Sequence, residues 1–276
     1  MKKIYTTSFK NKIINLFHDF SILLLKDKFI KTYTRNVLSK YETPPMLINI
    51  GAGSFKHPLW INMDFSNEFY ATVQKGNMIT HDLSLRKDFP FDDRSVNVYY
   101  CSHVIEHLNN QCVQKMFDEV YRTLKKDGVF RLTCPDMEYL LSDVKNGNGT
   151  ILSAIRPWGS AYKKNYEMLL EHCFTLLVHN ETELDETQVI EDMSKLSIEV
   201  FFNKYMSLLP ENANKIMPQG HCNWFTFAKI SDMLKTAGFS NISKSEFCKS
   251  PNVELRSPIL FDNTTPEISI YIEAQK

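Results

Sequence analysis

Residues 46–53 read MLINIGAG, and this stretch decides the fold of the chain. An apolar run that ends in two glycines one residue apart is typical of a buried strand that runs into a tight turn. Three more apolar runs follow, with the sequences LWINMDF (59–65), NMITHDL (77–83) and VNVYYC (96–101). They predict the second, third and fourth strands of the same sheet.

The rest of the chain predicts helices between strands and two strands at the end. Residues 110–126 have apolar side chains at helical spacing, and a turn and a fifth strand follow at 127–136. An amphipathic helix over 225–239 precedes two closing strands, at 241–247 and 267–276. This alternation favours an α/β fold with a doubly wound, mostly parallel sheet of seven strands. In such a sheet a ligand binds where the carboxyl ends of the strands meet.

Two segments do not fit the alternating pattern. A helical stretch over 8–40 precedes the first strand, and the prolines of ETPP separate the two. Residues 140–217 are helical and polar, without a convincing strand. We therefore expect three parts: an N-terminal helical segment (1–44), a ligand-binding sheet domain (45–139 and 218–276), and a helical insertion (140–217) that covers the ligand edge of the sheet.

The composition argues against several classes of protein. The 276 residues include 32 Lys and Arg and 32 Asp and Glu, so the formal net charge is zero and no basic stripe marks a nucleic-acid partner. The six cysteines are scattered, and none of them form a C-x-x-C pair. This pattern favours buried thiols in a reducing cytoplasm over a disulfide framework. No apolar run approaches the ~20 residues that a membrane span needs. We therefore expect a cytoplasmic protein without a membrane span and without a nucleic-acid partner.

Two acidic residues end strands next to the glycine turn. Asp64 ends the second predicted strand, where its carboxylate can accept both hydroxyls of a ribose while Gly51 and Gly53 let the backbone approach the ligand. Asp82 ends the third strand and can accept from an adenine amino group. A dinucleotide would need the fingerprint G-x-G-x-x-G and a helix N-terminus for its pyrophosphate, but the third glycine is missing. The pattern therefore favours an adenosine ligand without phosphates, such as S-adenosylmethionine.

Seven segments together resemble the class I S-adenosylmethionine-dependent methyltransferases of the small-molecule type, in particular the type 11-like group. They are LINIGAG (47–53), WINMDFS (60–66), HDL (81–83), FPFDDRSVNVYYCSHVIEHL (89–108), VYRTLKKDGVFRLTCPD (120–136), GHCNWFTFAKISDMLKTAGFSNI (220–242) and PEISIYIEAQK (266–276). Each motif alone is permissive, but the set is specific. The resemblance implies a Rossmann-like fold and S-adenosylmethionine as the methyl donor.

The resemblance also implies roles for individual residues. The cofactor would be held by residues at the ends of the first four strands: Asn49, Gly51, Gly53, Asp64, Asp82 and Ser102. Asn49 stands where an acid is common in the family. His103 would lie with Ser102 beside the sulfonium group.

The stretch SHVIEHL (102–108) places His103, Glu106 and His107 at i, i+3 and i+4. On a helix this spacing puts them on one face, where they could form a metal site, an acid–base pair or a polar helix end. A zinc protease is disfavoured because the motif directly follows an apolar strand in an α/β pattern. Some members of the resembled family carry E-x-x-E-H here and bind a divalent metal, whereas His103 replaces the first acid in this sequence. We expect His103 to face the acceptor and Glu106 and His107 to hold the loop; a metal on these three residues, with His221 as a distant fourth, is the less favoured alternative.

The chemistry of methyl transfer leaves a limited task for side chains. A sulfonium methyl is electrophilic, so the enzyme mainly positions the acceptor in line with the S–CH₃ bond. If the acceptor is a hydroxyl, a base takes its proton, and histidine suits this role near neutral pH. The candidate bases are His103 and His221, the latter in the GHCNWF loop (220–225) that returns from the insertion.

The acceptor is expected to be a small molecule. Bacterial proteins that resemble this chain often occur among enzymes of sugars and surface polysaccharides, which implies O-methylation of a sugar or polysaccharide precursor. A quinone precursor or a lipid is the alternative acceptor. Outside the class, a non-catalytic adenosine-binding module is disfavoured because the glycines and Asp64 are present, and an NAD enzyme is opposed by the missing third glycine.

Overall fold

The computed structural model describes most of the chain. The described residues are 26–55, 57–65, 78–147, 164–179, 184–257 and 259–276. The first part of the predicted helix over 8–40 lies outside them, and so do residues 148–163 of the predicted insertion. Within the described ranges, no helix combines the length and the apolar character that crossing a membrane requires.

The described strands form one seven-stranded sheet in the order β3-β2-β1-β4-β5-β7-β6. They are β1 (Leu47–Ile50), β2 (Trp60–Asp64), β3 (Met78–Thr80), β4 (Val96–Ser102), β5 (Leu124–Pro135), β6 (Asn241–Ser245) and β7 (Ser269–Gln275). β7 runs antiparallel to both β5 and β6, and the other pairings are parallel. The predicted doubly wound, Rossmann-like and mostly parallel sheet is therefore confirmed.

Helices flank the sheet and fill the chain between β5 and β6. The described α-helices are α1 (26–38), α2 (Asn110–Thr123), α3 (Met137–Lys145), α4 (Asn165–Cys173), α5 (Thr175–His179), α6 (Glu186–Lys195), α7 (Ile198–Met206), α8 (Ala213–Ile216) and α9 (Phe227–Ala237). Short 3-10 turns cover Leu83–Leu85, Ile105–His107 and Val253–Leu255. α2 begins where the side chain of Asn109 accepts a hydrogen bond from Cys112 N, and α9 ends at Gly238, whose φ of +112° is left-handed.

Side chains of the central strands alternate between apolar clusters on the two faces of the sheet. Ile48 and Ile50 pack in the cluster that includes α2 and α9. Leu47, which points the other way, packs with Tyr33 of α1 and with Trp60. Because both faces are covered, β1 is buried at every position, which explains its uninterrupted apolar character apart from Asn49.

Helices α3 to α7 contribute to a separate apolar cluster. Its fully buried members include Leu140, Leu169 and Phe174. Trp224, in the segment before α9, stacks on Phe202 with 5.4 Å between the ring centroids. These helices are therefore held by their own apolar contacts and by Trp224.

β1 lies at the point where the strand order reverses. It pairs with β2 on one side and with β4 on the other. The connections that leave β1 and β4 therefore run in opposite directions, which opens a crevice at the carboxyl ends of these strands. Gly51 follows β1 at this crevice, and Ser102 is the last residue of β4.

Candidate active site

A cavity of about 950 Å³ opens at the carboxyl ends of β1, β2 and β4. Its walls include all the residues predicted to hold the cofactor, namely Asn49, Gly51, Gly53, Asp64, Asp82 and Ser102. His103 lines it as well, whereas His221 is absent from the described residues of its wall. The structure therefore brings the predicted cofactor residues together and separates the two candidate bases.

The two glycines of the turn after β1 are required for different reasons. Gly51 has a φ of +64°, and a Cβ built on it would lie 2.1 Å from Cγ2 of Val104. A side chain at Gly51 would therefore displace the loop after β4. Gly53 has a φ of +51°, but no heavy atom lies within 4 Å of a Cβ built on it. At Gly53 the left-handed backbone is the constraint, because the space in front of this residue is open.

Asp64 is fixed at the end of β2 by two backbone hydrogen bonds. Its Oδ2 accepts from Gly53 N at 2.7 Å and its Oδ1 accepts from Phe65 N at 2.6 Å. Each carboxylate oxygen has a further lone pair, so these bonds orient the group without exhausting its capacity to accept. The carboxylate is thus tied to the glycine turn and can still accept from two hydroxyls.

Asp82 also has a structural task, which the sequence did not show. Its side chain caps the 3-10 turn at Leu83–Leu85 by accepting from Ser84 N at 2.8 Å. It follows β3 by two residues rather than ending the strand. His81, which sequence reasoning missed, lines the cavity beside it, and burial lowers the pKa of its imidazole. The aromatic ring of Phe89 packs edge-on against His81, with 5.2 Å between the ring centroids.

His103 is held at both ring nitrogens. Its φ of +53° is left-handed, so His103 is not part of the helix assumed from the spacing. Nδ1 lies 3.1 Å from Oε1 of Glu106, and Nε2 lies 2.8 Å from Oγ of Ser269. Ser269 donates its own hydrogen to the carbonyl oxygen of Thr265 at 2.8 Å, so its Oγ accepts from His103. In this arrangement Nε2 carries the ring hydrogen, so it can accept a proton only after Ser269 is released and the ring hydrogen lies on Nδ1 instead.

Glu106 is a buried carboxylate among histidines. The residue is 1% exposed. Burial alone raises the pKa of Glu106, but His103 first, and then His107 and His221, more than offset this and lower the pKa to about 2. The backbone oxygen of Glu106 accepts from Cys222 N at 2.8 Å, which docks the segment before α9 onto the turn after β4.

His107 and His221 meet at this docked segment. Nδ1 of His107 lies 3.0 Å from the carbonyl oxygen of Gly220, and Nδ1 of His221 contacts the carbonyl oxygen of His172. The rings of His107 and His221 are 4.8 Å apart. One potential ligand atom from each of Glu106, His107 and His221 lies within 4.8 Å of the others.

This grouping differs from the predicted set of His103, Glu106 and His107. The spacing H-x-x-E-H assumed a helix, but the residues lie in a 3-10 turn that His103 precedes with a left-handed backbone. His221 joins Glu106 and His107 instead, because the hydrogen bonds to the backbone of Glu106 bring the segment before α9 into contact with the turn.

Part of the cavity wall comes from residues that the sequence did not mark individually, two of them in the insertion (140–217) that was expected to cover this edge. Asn214 and Lys215 belong to α8, and Pro218 follows it. Asn263 and Thr264 belong to the loop before β7. No motif marks these five positions, because they reach the cavity only through the path of the chain in three dimensions.

Comparison with known proteins identifies the family. Residues 51–132, which contain the glycine turn, Asp64, Asp82 and the histidine turn, match the model of a family described as a methyltransferase domain. This segment of the chain matches a methyltransferase domain. The prediction of the family, of the enzyme class and of S-adenosylmethionine as the methyl donor is therefore confirmed. A search of curated proteins finds no significant match.

Many solved structures also match, at low identity. One is an S-adenosylmethionine-dependent methyltransferase from Archaeoglobus fulgidus, with 14% identity, a TM-score of 0.42, and coverage of 90% of this chain and 94% of that one. A methyltransferase from Mesorhizobium loti shares 11% identity, with a TM-score of 0.40 and coverage of 88% and 96%. Human N-acetylserotonin methyltransferase in complex with S-adenosylmethionine shares 13%, with a TM-score of 0.38 and coverage of 88% and 51%. None of them bears on the acceptor of this methyltransferase.

Proposed function

We propose that this methyltransferase O-methylates a sugar or a surface-polysaccharide precursor. The observation that carries the proposal is the set of polar side chains that Asn214, Asn263 and Thr264 add to the cavity wall. Amide and hydroxyl groups both donate and accept hydrogen bonds, as the hydroxyls of a sugar do. A wall of such groups favours an acceptor with several hydroxyls, because an apolar acceptor would leave them without partners.

In this proposal the glycine turn and the two acids hold the adenosine part of S-adenosylmethionine. Asp64 accepts from the ribose hydroxyls, since its carboxylate is already oriented by Gly53 N at 2.7 Å. Asp82 accepts from the adenine amino group with its second oxygen. Asn49 and Ser102, at β1 and at the end of β4, contact the methionine part.

His103 is the proposed base for the acceptor hydroxyl. S-adenosylmethionine supplies an electrophilic methyl group, and the hydroxyl loses its proton as the new C–O bond forms. His103 would receive that proton on Nε2 in the tautomer whose hydrogen is on Nδ1, after Ser269 moves away. Glu106, 3.1 Å from Nδ1, would hold that hydrogen and stabilise the resulting imidazolium. His221, the second candidate, lies outside the described cavity wall and would act through Glu106 or His107 rather than on the acceptor.

Residues 140–217 are the proposed cover that selects the acceptor. The support is α8, whose Asn214 and Lys215 form part of the cavity wall together with the glycine turn. In this proposal the cover contacts the acceptor and the sheet contacts the cofactor. Lids that close over the substrate have this role in many enzymes.

A panel of acceptors with methyl-labelled S-adenosylmethionine tests the proposal. The panel contains free sugars, nucleotide sugars and polysaccharide fragments on one side, and phenolic quinone precursors and lipids on the other. We expect the label on a sugar hydroxyl, with Asn263→Ala raising the KM for that sugar while leaving S-adenosylhomocysteine affinity unchanged. Asn36→Ala, on the exposed face of α1, is the matched control. Label on a phenol or a lipid, with the sugars unlabelled, would refute the sugar assignment.

A further inference from the structure

The acidic and the basic side chains of the cavity wall come from different parts of the chain. Among the described wall residues the acids are Asp64 and Asp82, both within the matched segment 51–132 and both assigned above to the adenosine part of the methyl donor. The lysines are Lys26, in α1, and Lys215, in the last turn of α8. Because both lysines lie outside the matched segment, they belong to the N-terminal helix and the insertion rather than to the shared domain.

Neither lysine has an acidic partner among the described residues. Lys26 and Lys215 form no ion pair and no side-chain hydrogen bond there, and Asp27, which follows Lys26, pairs with Lys31 at 2.7 Å instead. A positive group that faces a cleft without a counter-charge raises the local concentration of anions. The two ammonium groups are therefore available to a negatively charged ligand.

The lysines lie at the mouth of the cavity, and the groups proposed for the chemistry lie deeper. Lys26 and Lys215 are exposed. The side chain of His103, the proposed base, is only 11% exposed, and Asn49 at β1 is buried. An acceptor that presents a hydroxyl to His103 would therefore extend outward past the lysines, with its negative group near the solvent.

A phosphate or a carboxylate suits these side chains. A lysine ammonium offers three N–H donors and binds such groups as a point charge. The methyl donor also has a carboxylate, in its methionine part. A test of the lysines must therefore separate binding of the acceptor from binding of the donor.

We propose that the acceptor carries a phosphate or carboxylate group, which Lys26 and Lys215 bind at the mouth of the cavity. The inference rests on the proposed function and narrows it from a sugar to an anionic sugar derivative, such as a sugar phosphate, a nucleotide sugar or a uronic acid. The methyl group passes from the sulfonium sulfur to a hydroxyl oxygen, which loses its proton. The anionic group takes no part in the reaction.

Matched acceptors that differ in charge test the inference. They are a neutral sugar, its phosphate, its nucleoside diphosphate derivative and its uronic acid, each assayed with methyl-labelled S-adenosylmethionine. We expect kcat/KM for at least one charged acceptor to exceed that for the neutral sugar by about tenfold or more. Added salt should raise the KM of the charged acceptor only, because exposed charges are screened. The preferred derivative distinguishes phosphate from carboxylate.

Lysine variants test which residues bind the anionic group. Lys26→Gln and Lys215→Gln should each raise the KM for the charged acceptor about tenfold, which corresponds to 1.4 kcal/mol. The kcat and the affinity for S-adenosylhomocysteine should stay close to wild type. Lys28→Gln, on α1, and Lys145→Gln, in the last turn of α3, are matched controls, because both lysines are exposed and lie outside the described cavity wall.

Two results would overturn the inference. Equal kcat/KM for the neutral sugar and all its charged derivatives would do so, while label on a sugar hydroxyl would leave the proposed function standing. Weaker binding of S-adenosylhomocysteine by both variants, without a change in the KM of the charged acceptor, would assign the lysines to the donor carboxylate instead. Label on an anionic phenol or lipid, with its KM raised by both variants, would contradict the sugar and support the anionic group.

Discussion

His103 shows how one backbone angle changes the interpretation of a motif. A φ of +53° is uncommon for a residue with a side chain and usually reflects constraint by the surrounding structure. Here it directs the imidazole towards Ser269 and Glu106 and lets the residues that follow form a 3-10 turn. Spacing alone predicts a shared helical face, and nothing in the sequence signals a left-handed histidine. The residues of this motif could thus be named from the sequence, but their grouping could not.

The proposed role of His103 as the base predicts a specific kinetic effect. With an acceptor identified by label transfer, His103→Gln should lower kcat by about 10²–10⁴-fold, the range typical of a positioned general base. The affinity for S-adenosylhomocysteine should hardly change, because the proposed ribose and adenine contacts lie at Asp64 and Asp82. Steady-state kinetics and calorimetry measure the two quantities. Turnover equal to wild type in His103→Gln would contradict the assignment of His103 as the base. His57 lies outside the cavity wall, so His57→Gln controls for a general effect of replacing histidine by glutamine.

At the scale of elements, apolar periodicity predicted the described strands and their class of sheet. β1 and β4 are buried on both faces and read as continuous apolar runs, which is why their existence was clear. The ends of elements were less clear: α2 stops at Thr123, earlier than predicted, because the chain enters β5 at Leu124. α3 begins at Met137, before the expected start of the insertion, because Asp136 caps it. Local hydrogen bonds set these ends, and apolar spacing does not report them.

α2 is tied to the loop before β4 by Glu119, a buried acid. Its Oε2 accepts from Phe89 N at 2.8 Å and from Nη2 of Arg122 at 2.6 Å, and its Oε1 accepts from Lys115 at 2.8 Å. Burial raises the pKa of Glu119. Hydrogen bonds from Arg122, Lys115 and the backbone of Phe89 lower this pKa by more than burial raises it, so the net shift is downward. The ionised form therefore stabilises the fold above the ordinary glutamate pKa of about 4.3, and this contribution is lost as the pH falls below it.

Glu119→Gln should lower the free energy of unfolding by about 1.5–3 kcal/mol at pH 7, the range for hydrogen bonds with a charged partner. Its stability should also depend less on pH below about 4.3, because the group that takes up the proton is gone. Urea denaturation at several pH values measures both effects. Glu191→Gln removes an exposed partner of Lys195 and should have little effect. An unchanged pH dependence in Glu119→Gln would contradict the assignment.

At the scale of the whole molecule, tertiary contacts built the parts of the site that the sequence could not show. The loop from Ile259 to Thr264 reaches the cavity because Arg131 of β5, fully buried, holds Asp262 through a bond from Nε to Oδ1 of 3.0 Å. Arg131 also donates to Glu273 of β7 at 2.7 Å. An arginine inside an apolar strand sequence gives no hint of its partner, which lies far along the chain. The acceptor wall therefore had to come from the structure.

Removal of Arg131 should destabilise the fold strongly. Arg131→Met would leave two acids buried without their cation, and breaking a buried ion pair in this way typically costs about 3–5 kcal/mol. Chemical denaturation of Arg131→Met and of Arg35→Met, an exposed arginine on α1, compares the two. A loss below about 1 kcal/mol in Arg131→Met, as for an exposed ion pair, would show that the buried pair does not hold the loop.

The binding of S-adenosylhomocysteine to wild type and to Asp64→Ala, measured by calorimetry, tests most directly whether this cavity holds the methyl donor. We expect the wild-type protein to bind and Asp64→Ala to bind more weakly by about 1.5–3 kcal/mol, since the carboxylate accepts from the ribose hydroxyls. Asp232→Ala, which removes an exposed acid of α9 paired with Lys235, should bind as the wild type does. Equal affinity in the wild type and in Asp64→Ala would contradict the assignment of the cavity at the ends of β1, β2 and β4 as the cofactor site.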